Sequence, residues 1–214
     1  MDTPISLIVL SGGLNTRMQG YNKGLLRLAG ETFLERIYRT ARPLVTEAIL
    51  VTRQPEALQH TSFRQATDLF NLRSSLTGIH AGLSASRNAW CLVLPCDAPL
   101  VKRDVLGLLI ARISDQLDAV VPRCGRFYEP LCSVYSKRCL PAVESLLSAH
   151  RPKVANLFDL VQIETVAEAD IRRVDPRLES FINVNTADDL KKAAALLGCP
   201  QSENAWMTQD ADSG

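Results

Sequence analysis

Residues 7–24 read LIVLSGGLNTRMQGYNKG, and the way this stretch changes character decides the fold. An apolar run stops abruptly at Ser11-Gly12-Gly13, and a polar loop follows that carries Arg17, Gly20, Lys23 and Gly24. The run reads as a buried strand over 5–10, and the rest as a loop leaving its carboxyl end. Two adjacent glycines permit positive φ and let backbone N–H groups approach a ligand closely. Arg17 and Lys23 add fixed positive charge, and a lysine suits a phosphate as a compact point charge. A tight turn with two solvated cations would use some of the same residues. Glycines, Arg and Lys together at the end of the first strand instead favour a loop that holds an anion, and the anion that fits is a nucleotide's phosphates.

Outward from this loop, the chain alternates between the two periods of regular structure. Phe33, Leu34, Ile37, Tyr38 and Ala41 recur at helical spacing after Glu31-Thr32, and Pro43 marks the end of that helix. AILVT at 48–52 is a second buried strand, Gln54-Pro55-Glu56 opens a short helix, and a weaker strand is expected over 63–68. A polar, Ser-rich stretch over 69–78 leads to a helix at 79–86. WCLVL at 90–94 is the clearest strand in the chain and runs into Pro95-Cys96-Asp97-Ala98-Pro99. An amphipathic helix over 102–113 follows, then a strand at 119–122, a turn at 123–126, a strand at 131–135 and a helix over 138–149. Residues 153–160 suit a short helix or loop. Strands are expected at 162–166 and 181–184, before a terminal helix at 187–197 with Thr186 as N-cap and Asp188-Asp189 in its first turn. Strand and helix in alternation predict an α/β fold: a Rossmann-like three-layer domain, its sheet mostly parallel, with helices on both faces.

The chain of 214 residues suits a single domain over 1–198, followed by a polar, acidic tail over 199–214 in which Trp206 and Met207 are the lone large apolar residues. A net charge of +1, from 24 Lys+Arg against 23 Asp+Glu, lacks the basic excess of a nucleic-acid footprint. No apolar segment approaches the roughly 20 residues a membrane helix needs, and the N-terminus lacks a basic leader, so a cytoplasmic protein is expected. Six cysteines at 91, 96, 124, 132, 139 and 199 form no CxxC and are expected to be reduced, with Cys91 and Cys96 as small core hydrophobes. His60, His80 and His150 make no metal motif.

Ligands of an open α/β sheet bind beyond the carboxyl ends of its strands. The glycine loop, Asp68 after the third strand and Asp97 after WCLVL converge there. A carboxylate beside phosphates suits Mg²⁺, a hard cation that bridges to phosphate oxygens, and Asp97 is the stronger candidate because prolines fix the backbone on either side of it. The competing reading of Asp97 is a cap for the helix that starts nearby. The loop is neither GxxxxGK[ST] nor GxGxxG, which argues against a P-loop NTPase and a dinucleotide-dependent oxidoreductase.

LSGGLNTRMQGYNKGLLRLAG resembles the signature loop of nucleotidyltransferases, and within that superfamily it is most similar to the molybdenum cofactor guanylyltransferases, whose loop reads LAGG, then RMG, an acidic residue and KG. LVLPCDAPLV, GIHAGLSAS and INVNTADDL resemble further segments of the same family, in order, over residues 5–197. The resemblance implies a nucleotide-diphospho-sugar transferase-like fold and transfer of GMP from GTP to molybdopterin, with Mg²⁺. It implies that Leu10, Ser11, Gly12 and Gly13 hold the guanine nucleotide, that Lys23 contacts its phosphates and Arg17 helps neutralise them, and that Asp68 helps hold the nucleotide. It further implies that Asp97 is the Mg²⁺ ligand, and that Asn183 and Asn185 serve the pterin substrate. Transient contact with other molybdenum-cofactor or recipient enzymes is expected, and nucleic acid or membrane binding is not.

The chain departs from the family pattern at Ser11 for Ala, at Asn22 for an acidic residue, at Ser74-Ser75-Leu76-Thr77-Gly78 for Gly-Pro-Leu-Ala-Gly, and at Val51-Thr52-Arg53, which lacks an Asn. The last two bear on base choice, GTP against CTP. Arg123, Arg126, Arg151 and Lys153 are candidates to grip the acceptor's phosphate, the first two ranked highest. Phe127 and Tyr128 are candidates to stack on the pterin or to join the core. A cytidylyl- or sugar-phosphate transferase, and a non-catalytic nucleotide-binding module, are the alternatives.

Overall fold

The computed structural model describes residues 3–11, 23–53, 62–68, 70 and 72–199. The expectations placed on Gly12, Gly13, Arg17, Asn22, the 54–56 turn and the tail from residue 200 lie outside these residues. The first half of the chain forms β1 (Ile5–Ser11), β2 (Arg27–Leu28), β3 (Glu31–Thr32), α1 (Phe33–Ala41), β4 (Glu47–Thr52), β5 (Arg64–Ala66), α2 (Ser75–Ala85), β6 (Trp90–Pro95) and α3 (Arg103–Ile110). The second half forms β7 (Ala119–Cys124), β8 (Phe127–Tyr128), β9 (Ser133–Ser136), α4 (Leu140–Ser148), β10 (Ile163–Ala167), α5 (Glu168–Val174) and α6 (Ala187–Leu196).

The main sheet runs β10-β7-β9-β6-β1-β4-β5, with β8 hydrogen-bonded to β7. β1 is parallel to both β4 and β6, β4 to β5 and β7 to β10, whereas β9 is antiparallel to β6 and to β7. The reversed strand β9 therefore sits inside a mostly parallel sheet, β8 forms an antiparallel hairpin with β7, and the carboxyl ends of β1, β4, β6 and β7 share one edge. The chain leaves β1 to build one side through β4 and β5, then returns to build the other through β6. The gap between β1 and β6 is thus the topological switch point where such sheets open a crevice.

Both faces of the sheet are covered, as the apolar strands require. Leu7 and Val9 of β1 pack toward α1, α3 and α5, while Ile8 packs toward α2 and α4. A third, smaller cluster joins Leu26, Leu28 and Phe33 of the β2–β3 region to Leu100, Val184 and the buried face of α6. This third cluster draws the start and the end of the chain together.

Local chemistry explains the boundaries. Thr32 caps α1 and Thr186 caps α6, each in a reciprocal box closed by Glu35 and Asp189. Helix α2 begins at Ser75, four residues earlier than the 79–86 reading, because the Ser74 hydroxyl accepts the Thr77 N–H and starts the helix inside the Ser-rich stretch. The short helix or loop expected over 153–160 forms as a 3-10 helix, Val154–Asp159, and two expectations are corrected. Residues 181–184 form no strand: a 3-10 turn at Glu179–Phe181 precedes them, and the Val184 N–H donates to the Asp97 carbonyl (2.7 Å) instead of to a neighbouring strand. Helix α5, short and mostly polar, lies where no element was expected.

Candidate active site

The carboxyl ends of β1, β4 and β6 surround a cleft of about 350 Å³. Leu10, Ser11, Lys23, Pro95, Cys96, Asp97 and Leu131 line one part of it, and Val51, Thr52, Arg53, Asp68, Arg73, Ser74, Ser75 and Gly78 the other. The backbone closes the crevice at its base, where the Cys96 N–H donates to the Leu10 carbonyl (3.0 Å).

Lys23 is the centre of the charged cluster. Its Nζ lies 3.2 Å from Asp97 Oδ2 and also donates to Asn185 Oδ1, so residues separated by 74 and 162 positions meet at one ammonium. The side chains of Lys23 and Asp97 are only 16% and 20% exposed. Asn185 is itself held in place: its N–H donates to Asp189 Oδ2 (3.1 Å), and the same carboxylate accepts the Thr186 N–H (3.0 Å) at the start of α6. Those hydrogen bonds, the one with the Thr186 side chain first, hold the Asp189 carboxyl below its usual range. Asn183 is exposed and flanks buried Val184 on the other side. The structure thus brings Leu10, Ser11, Lys23, Asp68 and Asp97 to one cleft and Asn185 onto Lys23, while exposed Asn183 is not among the residues that line it and has no side-chain hydrogen bond among the described residues. The capping reading of Asp97 is not what forms: Lys102 precedes α3, with no side-chain cap.

The second wall holds an ion pair that the strand-end argument missed. Arg53 Nε lies 2.7 Å from Asp68 Oδ2, and Arg53 Nη2 donates to the Leu72 carbonyl (3.0 Å). Arg53 directly follows β4, so the rule that singled out Asp97 would also have found it. Arg73, exposed at the mouth, has no ion-pair partner among the described residues. Of the four departures from the family pattern, the two that bear on base choice contribute Val51, Thr52, Arg53, Ser74, Ser75 and Gly78 to this wall.

A close approach shapes the same wall. A Cβ added at Gly78 would lie 3.2 Å from Leu10 Cδ2, and one at Gly82 would lie 2.4 Å from Ile8 Cγ2. The two glycines, one turn apart, seat α2 directly on β1. They fix the distance between the helix and the strand end that carries Leu10 and Ser11.

The thiol in the cleft is not a nucleophile. Burial, helped by the neighbouring Asp97, pushes Cys96 up to about 12, so it stays protonated at neutral pH. Among the described residues no three His, Cys, Asp or Glu side chains cluster as a metal site. A single carboxylate, Asp97, nevertheless fits a Mg²⁺ whose remaining ligands are phosphate oxygens and water, the usual way that ion is held beside a nucleotide. Among the described residues no helix is long and apolar enough to cross a membrane.

The sheet order and the switch-point cleft holding a lysine, a carboxylate and an amide belong here to an α/β protein of the NTP transferase class, which the match to a family model shows. The fold is shared at 16% identity with the 4-diphosphocytidyl-2C-methyl-D-erythritol synthase of Anaerococcus prevotii (TM-score 0.66, covering 92% of this chain and 97% of that one). The chain belongs to the MobA-like NTP transferase domain family, whose model matches residues 7–166. It is 37% identical over 190 residues to the molybdenum cofactor guanylyltransferase of Desulfosudis oleivorans, covering 89% of this chain and 94% of that relative. Over 174 residues it is 37% identical to the protein of the same name from Pseudomonas putida, covering 79% and 91%. The solved molybdopterin-guanine dinucleotide biosynthesis protein A of Archaeoglobus fulgidus superposes with a TM-score of 0.77 at 28% identity, covering 90% of this chain and 98% of that one.

Proposed function

We propose that the protein transfers GMP from GTP to the terminal phosphate of molybdopterin, forming the guanine dinucleotide form of the cofactor and releasing pyrophosphate. The observation that carries this reading is the meeting of Lys23, Asp97 and Asn185 at the carboxyl ends of β1 and β6. It joins a cation suited to phosphates, a carboxylate suited to a metal and an amide from the segment that resembles the family's pterin-associated stretch.

A phosphate nucleophile is already ionised at neutral pH, so the reaction needs no strong general base and no protein nucleophile. The protein's part is in-line positioning and the cancelling of charge that moves onto the leaving group. Leu10, Ser11, Gly12 and Gly13 hold the nucleotide through backbone groups, with Asp68 and its partner Arg53 on the opposite wall. Lys23 and Arg17 neutralise the phosphates. Asp97 would hold Mg²⁺, which when bound supplies further neutralisation of the pyrophosphate being displaced. Before substrate arrives, Lys23 is paired with Asp97. Phosphate oxygens would take over the Lys23 ammonium, which would leave the Asp97 carboxylate available to hold the metal. Asn185 and Asn183 face the acceptor.

The test is a panel of GTP, CTP, ATP and UTP with Mg²⁺, read by thermal shift, followed by a pyrophosphate assay with molybdopterin. A ligand that binds only the native state stabilises it by about 2.7 kcal/mol at one hundred times its Kd. GTP is expected to raise Tm most and to yield pyrophosphate only when the acceptor is present. A response to CTP alone, or nucleotide binding with no pyrophosphate release, would overturn the assignment.

A further inference from the structure

Beyond the cleft, the carboxyl end of β7 carries groups that the proposed reaction does not yet use. β7 and β8 form a hairpin in which Cys124 lies opposite Phe127 and Arg123 opposite Tyr128. The Glu129 N–H donates to the Pro122 carbonyl (2.9 Å), which carries the ladder one residue further. Directly opposed residues share a face and successive residues alternate. Phe127 and Glu129 therefore lie with Cys124 on one face, and Tyr128 lies on the other, where its ring packs against Phe158 at 5.1 Å between centroids. Neither aromatic is core: Phe127 is 63% exposed and Tyr128 37%. The Arg126 guanidinium sits 4.9 Å from the centroid of the Phe127 ring.

The face that bears Phe127 and Glu129 is the one against which the start of the Asn183–Asn185 segment packs. Cys124 packs on the cluster that α1, α3 and α5 build, and so does Phe181, at the head of the segment that carries Asn183 and Asn185. Of the apolar residues that line the nucleotide cleft, Val51, Leu10 and Leu131 pack on the opposite cluster, and Cys96, at the strand end beside Asp97, packs on this one. Glu129 is half-buried and makes no side-chain hydrogen bond or ion pair among the described residues. Burial alone raises its carboxyl above the usual range. A half-buried carboxylate with no partner among those residues is a group that a ligand can satisfy at a gain in stability.

We infer that Glu129 and Phe127 form a recognition subsite for the 2-amino-4-oxopyrimidine edge of the acceptor's pterin ring. That edge presents two adjacent N–H donors, which match the two oxygens of one carboxylate as a guanidinium does. The pyrimidinone ring is flat and stacks on an exposed aromatic platform. Guanine carries the same edge, so the chemistry fits two sources, and the face assignment selects the pterin. This inference rests on the reading of molybdopterin as acceptor.

Glu129→Gln separates the possibilities, since the amide keeps the shape and offers only one acceptor to two donors. The KM for molybdopterin is expected to rise about 10- to 100-fold, with kcat and the KM for GTP within about two-fold. Phe127→Ala is expected to raise the same KM, and Phe127→Trp to restore it. An unchanged KM for molybdopterin in Glu129→Gln, with wild-type transfer intact, would overturn this subsite and leave the proposed reaction standing. A raised KM for GTP instead would assign Glu129 to guanine and overturn it equally. If wild-type protein makes no dinucleotide, the proposed reaction fails. Fluorescence titration with pterin-6-carboxylate then decides the subsite: weaker binding by Glu129→Gln than by wild type supports it, and equal binding overturns it.

Discussion

The two ends of β1, β4 and β6 are built from the same strands and treat polar groups in opposite ways. At the amino end, Ser6 Oγ donates to Glu47 Oε2 (2.7 Å) and accepts from Ser86 Oγ (2.8 Å) and Asn88 Nδ2 (3.0 Å). Glu47 also accepts from Arg64 Nη2 (2.7 Å) and the Arg87 N–H (3.0 Å), and Lys137 Nζ donates to the Ser86 carbonyl (2.8 Å). Every partner is supplied from within, and these residues form a closed knot. At the carboxyl end, Lys23, Asp97, Arg53 and Asp68 are paired around a cleft that admits a ligand. The amino end spends its polar contacts on holding the strands together, and the carboxyl end keeps its contacts exchangeable. Substitutions at the two ends should therefore separate stability from activity.

The largest expected effect is at the open end. Lys23→Ala should lower kcat/KM by about 100- to 1000-fold, while Tm falls by no more than about 4 °C. Steady-state kinetics beside a melting curve checks both, and a large loss of Tm would place Lys23 with the structural knot. Next is the helix that spans both ends. Gly82→Ala drives a Cβ into Ile8 at 2.4 Å and should destabilise by about 1–3 kcal/mol, read as a lower urea midpoint with an unchanged m-value. Gly78→Ala meets only the tip of Leu10, at 3.2 Å, so its cost in stability should stay below about 1 kcal/mol while the KM for GTP rises.

At the closed end, Glu47→Gln should cost about 1–2 kcal/mol and leave kcat/KM per folded molecule unchanged. The smallest effect is its pH dependence. Burial works to raise the Glu47 carboxyl, but hydrogen bonds from the Arg87 backbone, Ser6 and Arg64 outweigh it and hold the carboxyl below its usual range. A lowered carboxyl contributes stability above its unfolded pKa and loses it as pH falls through the folded value. The gap in Tm between wild type and Glu47→Gln should therefore narrow as pH drops from about 5 to about 3. A constant gap would mean that the knot acts by packing rather than by charge.

Much of the fold was legible because it rests on local periodicity. AILVT and WCLVL read as strands and form strands, and Glu31-Thr32 and the Thr186 N-cap marked two helix starts that the structure closes with capping boxes. Residues 181–184 misled because Ile182 and Val184 look like a strand, whereas the bond that orders Val184 goes to the Asp97 carbonyl, far away in sequence. Helix α2 started early for a local reason, a Ser74 cap hidden in a run of polar residues that also suits a loop.

For the site, the sequence by itself determined the residue types and the strand ends that carry them: a lysine after the glycine loop, a carboxylate after WCLVL, asparagines near the carboxyl terminus. Strand position follows from apolar patterning over neighbouring residues, so one chain segment suffices to read it. Only the tertiary structure decided that Lys23 bridges Asp97 and Asn185, that Arg53 closes on Asp68, and that Phe127 is an exposed platform rather than core. The first depends on how the third hydrophobic cluster docks α6 against the β2–β3 hairpin, the second on how β5 pairs with β4, and the third on which way the β7–β8 hairpin turns its faces. All three are set by packing between segments distant along the chain, which no local pattern records.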